Sequence, residues 1–228
     1  MSFERFLSNM IKLLSKYYMS FVKGTGMTLL LSVITVVFGL CIGVLLHLIR
    51  SQKLGPLSWL CSGYIEFVRG TPLLLQLTFF VFILPMIFPG SVFKSNYFFS
   101  TAVALCLNSG AYVSEIIRAG IQAVDKGQTE AARSLGLNKA MTFFRIVMPQ
   151  AIRNILPALG NEFITVIKET SLASVFFVGD LMTQYKTLSG VLFLGLESLI
   201  VMSLIYFLLT FTLSKLVALL ERRLRVSD

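Results

Sequence analysis

The chain has 228 residues, of which 56% are hydrophobic and 14% charged, with a mean hydropathy of +0.82. A soluble domain carries about a quarter of its residues charged, so this balance excludes one and places the chain in a bilayer. The formal charge of +9 would suggest nucleic acid if the cations formed one patch, but they flank apolar runs, so no nucleic-acid partner is expected.

A bilayer core about 30 Å thick takes about 20 helical residues to cross. Residues 1–23 come first, alternating Phe6, Met10, Leu13, Leu14 and Tyr17 with Lys, Arg and Ser at helical spacing. That pattern predicts an amphipathic helix lying in the membrane interface. Five apolar runs follow within 24–217: Met27–Ile49, Pro72–Phe88, Phe98–Ile117, roughly Ile155–Val178, and Val191–Val217. The second contains Gln76 and is short, so its span is expected to begin a few residues earlier. The fourth carries Glu162, Lys168 and Glu169. Residues 218–228 read as a cytoplasmic tail. The sequence thus predicts an all-α integral membrane protein with five transmembrane helices and an N-terminal interfacial helix. Residues 1–26 are too long a lead, and no small-residue cleavage site follows the first run, so a removable leader is not expected.

Five spans put the termini on opposite sides, and Lys and Arg decide which. With the C-terminus inside, Arg50, Lys53, Arg69, Arg118, Lys126, Arg133, Lys139, Arg145, Arg153, Lys215, Arg222, Arg223 and Arg225 are cytoplasmic. Only Arg5, Lys12, Lys16, Lys23, Lys94 and Lys186 fall outside. N-terminus out and C-terminus in is the expected orientation. Cys41, Cys61 and Cys106 show no ligand spacing and His47 has no nearby partner, so no metal site is expected. No phosphate-cradling Gly-x-x-x-x-Gly-Lys-Ser/Thr run and no nucleophile–base motif is present, so no catalytic residue is expected and any ATP hydrolysis must come from another chain.

Between the third and fourth runs lie residues 118–154, far more than a turn between antiparallel helices needs. Thr129 is placed to cap a helix through Ala131, Ala132 and Leu135, ended by Gly136, and Asn138 to cap a second that runs to Met148 before Pro149. A plain interfacial hairpin would share that periodicity. The residues are more specific: Glu130-Ala131-Ala132, Gly136 four positions after Ala132, then nine residues and Ile146-Val147-Met148-Pro149. This run resembles the EAA signature of permease subunits of binding-protein-dependent ATP-binding-cassette importers, departing only in Met148 where Leu is usual. Glu66-Phe67-Val68-Arg69-Gly70-Thr71-Pro72, Gly110-Ala111-Tyr112-Val113-Ser114-Glu115-Ile116, Lys126-Gly127-Gln128, Pro157-Ala158-Leu159-Gly160-Asn161-Glu162 and Lys168-Glu169-Thr170-Ser171-Leu172-Ala173 resemble the polar amino acid branch of that family.

The resemblance implies a type I importer transmembrane domain over 24–217, with coupling helices at about 127–149. It implies a bacterial cytoplasmic membrane and three kinds of protein partner. These are two copies of an ATPase that carries ATP and Mg, a second permease copy or paralogue, and an extracytoplasmic amino acid binding protein. Glu130, Ala131, Ala132, Gly136 and Pro149 would dock on the ATPase. Polar groups inside spans face protein or a water-filled path. Gln76, Asn108, Ser109, Tyr112, Glu115 and Glu162 are therefore candidates for the substrate pathway, with interhelical hydrogen bonding as the competing reading. Lys168 and Glu169 are candidates for a gate or dimer interface. Glu197 has weaker support. A stand-alone secondary transporter or channel is the alternative, and an intramembrane enzyme would need a catalytic pair that the sequence lacks.

Overall fold

The computed structural model describes residues 3–52, 55–91, 93 and 96–225. Lys53 and Lys94, counted above for topology, lie outside the described residues, as do residues 1, 2 and 226–228 of the expected terminal segments.

No proline interrupts residues 3–51, and they form one helix, α1 (Phe3–Ser51). Residues 3–23 of the interfacial helix expected over 1–23 are therefore not a separate element: they run into the first span as one helix. Leu13 and Phe21 are buried against Leu181, Leu188, Val201 and Met202. Those partners make the N-terminal turns a packed part of the bundle, and Asn9 Nδ2 donates to the buried Glu197 at 2.9 Å.

Helix α2 (Pro56–Gly70) and helix α3 (Leu73–Ile87) meet at a bend of 109°. Proline at 72 disfavours helical geometry at the residue before it, and Thr71 is extended, with φ −117° and ψ 146°. The second run is thus one arm of a broken helix pair, with Gly70-Thr71-Pro72 as the elbow. Within α3 one wide π turn covers Phe79–Ile83, and Leu84 N donates to Phe79 O, five residues back. Pro85 follows directly; it has no N–H to give and its ring needs room near the carbonyl four residues earlier, and the wide turn supplies that room.

Helix α4 (Tyr97–Gln122) is the central helix, started by Asn96, whose side chain accepts from Phe99 N at 3.1 Å. Its buried face includes Thr101, Asn108, Ser109, Gly110 and Ser114. Opposite it, α1 buries Thr28, Leu31, Ser32, Thr35, Gly39 and Gly43. Small residues on both sides let the two backbones approach closely, the usual means of helix contact in lipid. After the loop helix α5 (Lys126–Ser134) comes α6, a continuous run over 139–169 built from Lys139–Thr142, a π turn Phe143–Val147 and Met148–Glu169. A tighter 3₁₀ turn, Thr170–Phe176, carries the chain on, so the fourth run is not helical to Val178 in one piece. Helix α7 (Leu181–Leu192) is capped by Asp180, whose carboxylate accepts from Met182 N at 3.0 Å. Helix α8 (Gly195–Arg225) closes the bundle. Val191, expected to open the fifth span, belongs to α7.

By length and composition two described helices, Phe3–Ser51 and Gly195–Leu224, are long and apolar enough to cross a membrane, and the bent pair makes up to three. Helices α4 and α6 carry polar residues, of which Asn108, Ser109, Glu115 and Glu162 meet side chains of other helices.

A Cβ at Gly43 would lie 2.5 Å from Val113 Cγ1 and 2.9 Å from Ser114 N, whereas a Cβ at Gly63 meets nothing within 4 Å. Gly43→Ala is expected to destabilise the protein by about 1–3 kcal/mol through overpacking, and Gly63→Ala to stabilise it by about 0.4–1 kcal/mol. Thermal unfolding of the purified variants in detergent measures both, and a Gly43→Ala protein as stable as the wild type would mean that α1 and α4 are not tightly apposed.

Candidate functional site

The loop after α4 is built by side-chain caps and one glycine. Asp125, not Thr129, starts α5: its Oδ1 accepts from Gly127 N at 2.6 Å. At the far end Gly136 N donates to Arg133 O at 3.0 Å and Leu137 N to Ala132 O at 3.2 Å. This paired pattern satisfies the last carbonyls of a helix and needs a left-handed residue between them. Gly136 has φ +84°, a backbone region that a side chain disfavours. Asn138 then caps α6, accepting from Met141 N at 2.9 Å, as its position in the sequence predicts.

The second loop helix does not stop before Pro149. Its first turns pass through the π turn at Phe143–Val147, where Met148 N donates to Phe143 O, and Pro149 sits just beyond, as Pro85 does in α3. The second of the two expected loop helices thus forms one helical run with the fourth run. Ala132 is 5% exposed and packs within the loop, while Glu130, Ala131 and Pro149 are exposed. Leu135, 81% exposed, enters the sequence reading only as a helix position and not as a site residue; it stands beside Gly136 as a large apolar side chain with no cover. An apolar side chain beside an EAA run and a glycine turn is the signal that would have found it.

The polar interior resolves into four junctions. Gln76 Nε2 donates to Val68 O at 2.8 Å, to Thr71 O at 3.2 Å and to Thr71 Oγ1 at 2.9 Å, and its Oε1 accepts from Asn108 Nδ2 at 2.9 Å. It therefore satisfies carbonyls freed by the elbow and ties the elbow to α4. Ser109 Oγ donates to Glu162 Oε1 at 2.9 Å, joining α4 to α6. Tyr112 lies under the Arg69 guanidinium, 5.6 Å from ring centroid to Cζ. Glu115 is reached by Arg50 Nη1 and Arg118 Nη2 at 2.5 Å and by Arg69 Nη1 at 3.3 Å. In the sequence Arg50 is a topology marker and Arg69 is both a topology marker and part of the Glu66–Pro72 motif; their pairing with Glu115 is a contact between residues 65 and 46 positions apart, which periodicity does not reveal. Lys168 is exposed and Glu169 half-buried, on the stretch of α6 that leads into the 3₁₀ turn.

A family model described as "binding-protein-dependent transport system inner membrane component" matches residues 39–226. A putative glutamine transport system permease protein GlnP of Rickettsia bellii (strain RML369-C) is 43% identical over 206 residues, covering 90% of this chain and 93% of that protein. The arginine transport system permease protein ArtQ of Bacillus subtilis (strain 168) is 40% identical over the same shares of both chains. Among solved structures, a chain of an amino acid ABC transporter crystallised with histidines superposes with a TM-score of 0.88 at 44% identity, over 96% of this chain and 98% of that one.

The clamp made by Gln76 has a measurable consequence. Gln76→Leu removes the acceptor of Asn108 and strands elbow carbonyls, each buried unpaired group costing about 1–3 kcal/mol. The variant is expected to unfold several degrees lower in detergent, while Thr78→Val, which removes only an exposed bond from Thr78 Oγ1 to Leu74 O, is expected to change little. Equal unfolding temperatures for both variants would show that the elbow does not depend on this side chain.

Proposed function

Because the chain belongs to the family of binding-protein-dependent transport system inner membrane components, we propose that it is the permease subunit of an importer of polar or charged amino acids, driven by a separate ATPase. In this reading five segments cross the membrane, the N-terminus is outside and the C-terminus inside. A binding protein delivers the amino acid from outside, a second copy or paralogue completes the pore, and two ATPase subunits carry ATP and Mg on the cytoplasmic side. The chain itself contributes no catalytic group. The relatives named for glutamine and arginine and the neighbour crystallised with histidines support an amino acid cargo.

The observation that carries the proposal is the continuity of the loop with a spanning helix. Exposed Glu130, Ala131 and Leu135 form a small surface for a partner, Gly136 fixes its turn, and α6 runs from Lys139 to Glu169 without a break. When the paired ATPases close on ATP, a push on this surface passes along α6 to Glu162, Lys168 and Glu169. Lys168 and Glu169 serve in this account as gate or dimer-interface residues. The substrate pathway runs past the junctions of α3, α4 and α6, with Gln76, Asn108, Ser109, Tyr112, Glu115 and Glu162 along it. An α-amino acid offers a carboxylate and an ammonium, and amide, hydroxyl and carboxylate side chains complement both.

The test is direct. Gly136→Val places a β-branched side chain at φ +84° and Glu130→Lys turns an attraction to a cationic partner into a repulsion. Both variants are expected to insert normally, lose most of the co-purifying ATPase, and abolish ATP-driven amino acid uptake in vesicles supplied with binding protein. Uptake that persists in both variants, or proceeds without ATP, would favour the stand-alone secondary transporter. A cysteine replacing Lys186 is expected to react with an impermeant reagent on intact cells; reaction only after the membrane is broken would reverse the orientation.

A further inference from the structure

A groove of about 810 Å³ runs between the C-terminal turns of α1, the end of α4 and the first half of α6. Its walls include Val44, Leu48, Ile152, Ile155 and Leu156, and one end is rimmed by His47, Arg50, Arg118 and Gln122. Arg50 and Arg118 belong to the Glu115 cluster, in which Arg50, Arg69 and Arg118 surround one carboxylate. Three guanidinium groups against one carboxylate leave a formal excess of two positive charges. Both Glu115 oxygens are already engaged, by Arg50 and Arg118 on Oε1 and by Arg69 and Arg118 on Oε2. The side chains of Arg50 and Arg118 remain 31% and 39% exposed.

Unbalanced charge beside apolar helices is costly and attracts a counter-anion. A small soluble anion would meet the charge and leave the apolar walls uncovered. An amphiphile with an anionic head satisfies both.

We propose that this groove binds an anionic phospholipid, its phosphate held by Arg50 and Arg118 and an acyl chain lying along Leu48, Ile152 and Leu156. The site rests on the orientation given under the proposed function, which puts the arginine end in the cytoplasmic leaflet. That leaflet attracts basic pockets between helices through its anionic headgroups. A bound lipid there lies beside α6 just where it leaves the loop, so the lipid's charge bears on the helix that transmits the push.

The experiment uses the permease purified with its own ATPase, reconstituted in nanodiscs of phosphatidylcholine and phosphatidylglycerol at equal mole fractions, released, and weighed by native mass spectrometry. Phosphatidylglycerol is expected to remain bound at least tenfold over phosphatidylcholine. Val44→Trp with Ile152→Trp, which fills the groove, is expected to lower that retention at least fivefold while the ATPase stays attached. Gln122→Glu, which supplies a fixed anion at the rim without altering the walls, is expected to lower it as well and guards against a folding defect in the first variant. Equal retention of the two lipids, or retention untouched by these changes, overturns the site. So does a Val44→Cys protein that cross-links to a second copy with no lipid retained, which would assign the groove to the permease pair. Uptake is measured on the same preparations: selective retention without ATP-driven uptake leaves the lipid site standing and refutes the transport reading, and uptake without selective retention does the reverse.

Discussion

A carboxylate among apolar helices is tolerated where cations reach it, and Glu115 is reached from three helices at once. Arg50 comes from the end of α1, Arg69 from the end of α2 and Arg118 from the next turn of α4. A shift of α1 along α4 by one turn, about 5.4 Å, would carry Arg50 out of reach of Glu115. The cluster therefore fixes the register in which Gly39 and Gly43 meet Ser109 and Val113. It also holds the end of α2 beside α4, where Tyr64 Oη donates to Leu107 O at 2.8 Å. The elbow and its Gln76–Asn108 clamp follow from that placement.

Around this fixed point the chain uses local backbone devices to make a helical bundle that is not a set of straight rods. Proline at 72 opens the elbow, and Gln76 satisfies the groups it frees. Prolines at 85 and 149 are each preceded by a π turn, so two helices pass a residue that would otherwise break or kink them. The second case bears on the proposed coupling, since it keeps residues 139–169 in one helical run. The left-handed residue at Gly136 is the complementary device: it ends α5 abruptly and leaves Leu135 and Glu130 exposed.

Much of this is legible in the sequence, and the limits have physical causes. The apolar runs could be read from composition along each stretch of chain, and the Asn138 cap and the Gly136 turn because each depends on residues within one turn of each other. The uninterrupted α1 was missed because amphipathic spacing in residues 1–23 describes a face and says nothing of whether the axis continues; only a breaker would have, and residues 3–51 hold no proline. Asp125 and Thr129 are both good cap residues, and which one starts α5 depends on where α4 ends. The break at Leu192–Gly195 was hidden because Phe193, left-handed with φ +56°, looks apolar in a hydropathy scan. The pairings of Asn108 with Gln76, Ser109 with Glu162 and Glu115 with Arg50 and Arg69 are long-range, and a single sequence contains no periodicity that reports them.

The account joins one rigid junction at Glu115 to one exposed surface on the loop, with α6 between them. Its central claim is that this surface is where a nucleotide-driven partner pushes. A photo-cross-linking residue in place of Leu135 tests that claim most directly, with one in place of Trp59, equally exposed at 82% but on α2, as the comparison. In the complex purified with its ATPase, the account predicts an ATPase adduct from position 135, changed in yield by ATP, and none from position 59. No ATPase adduct from position 135 in any nucleotide state, with the complex intact, would contradict it.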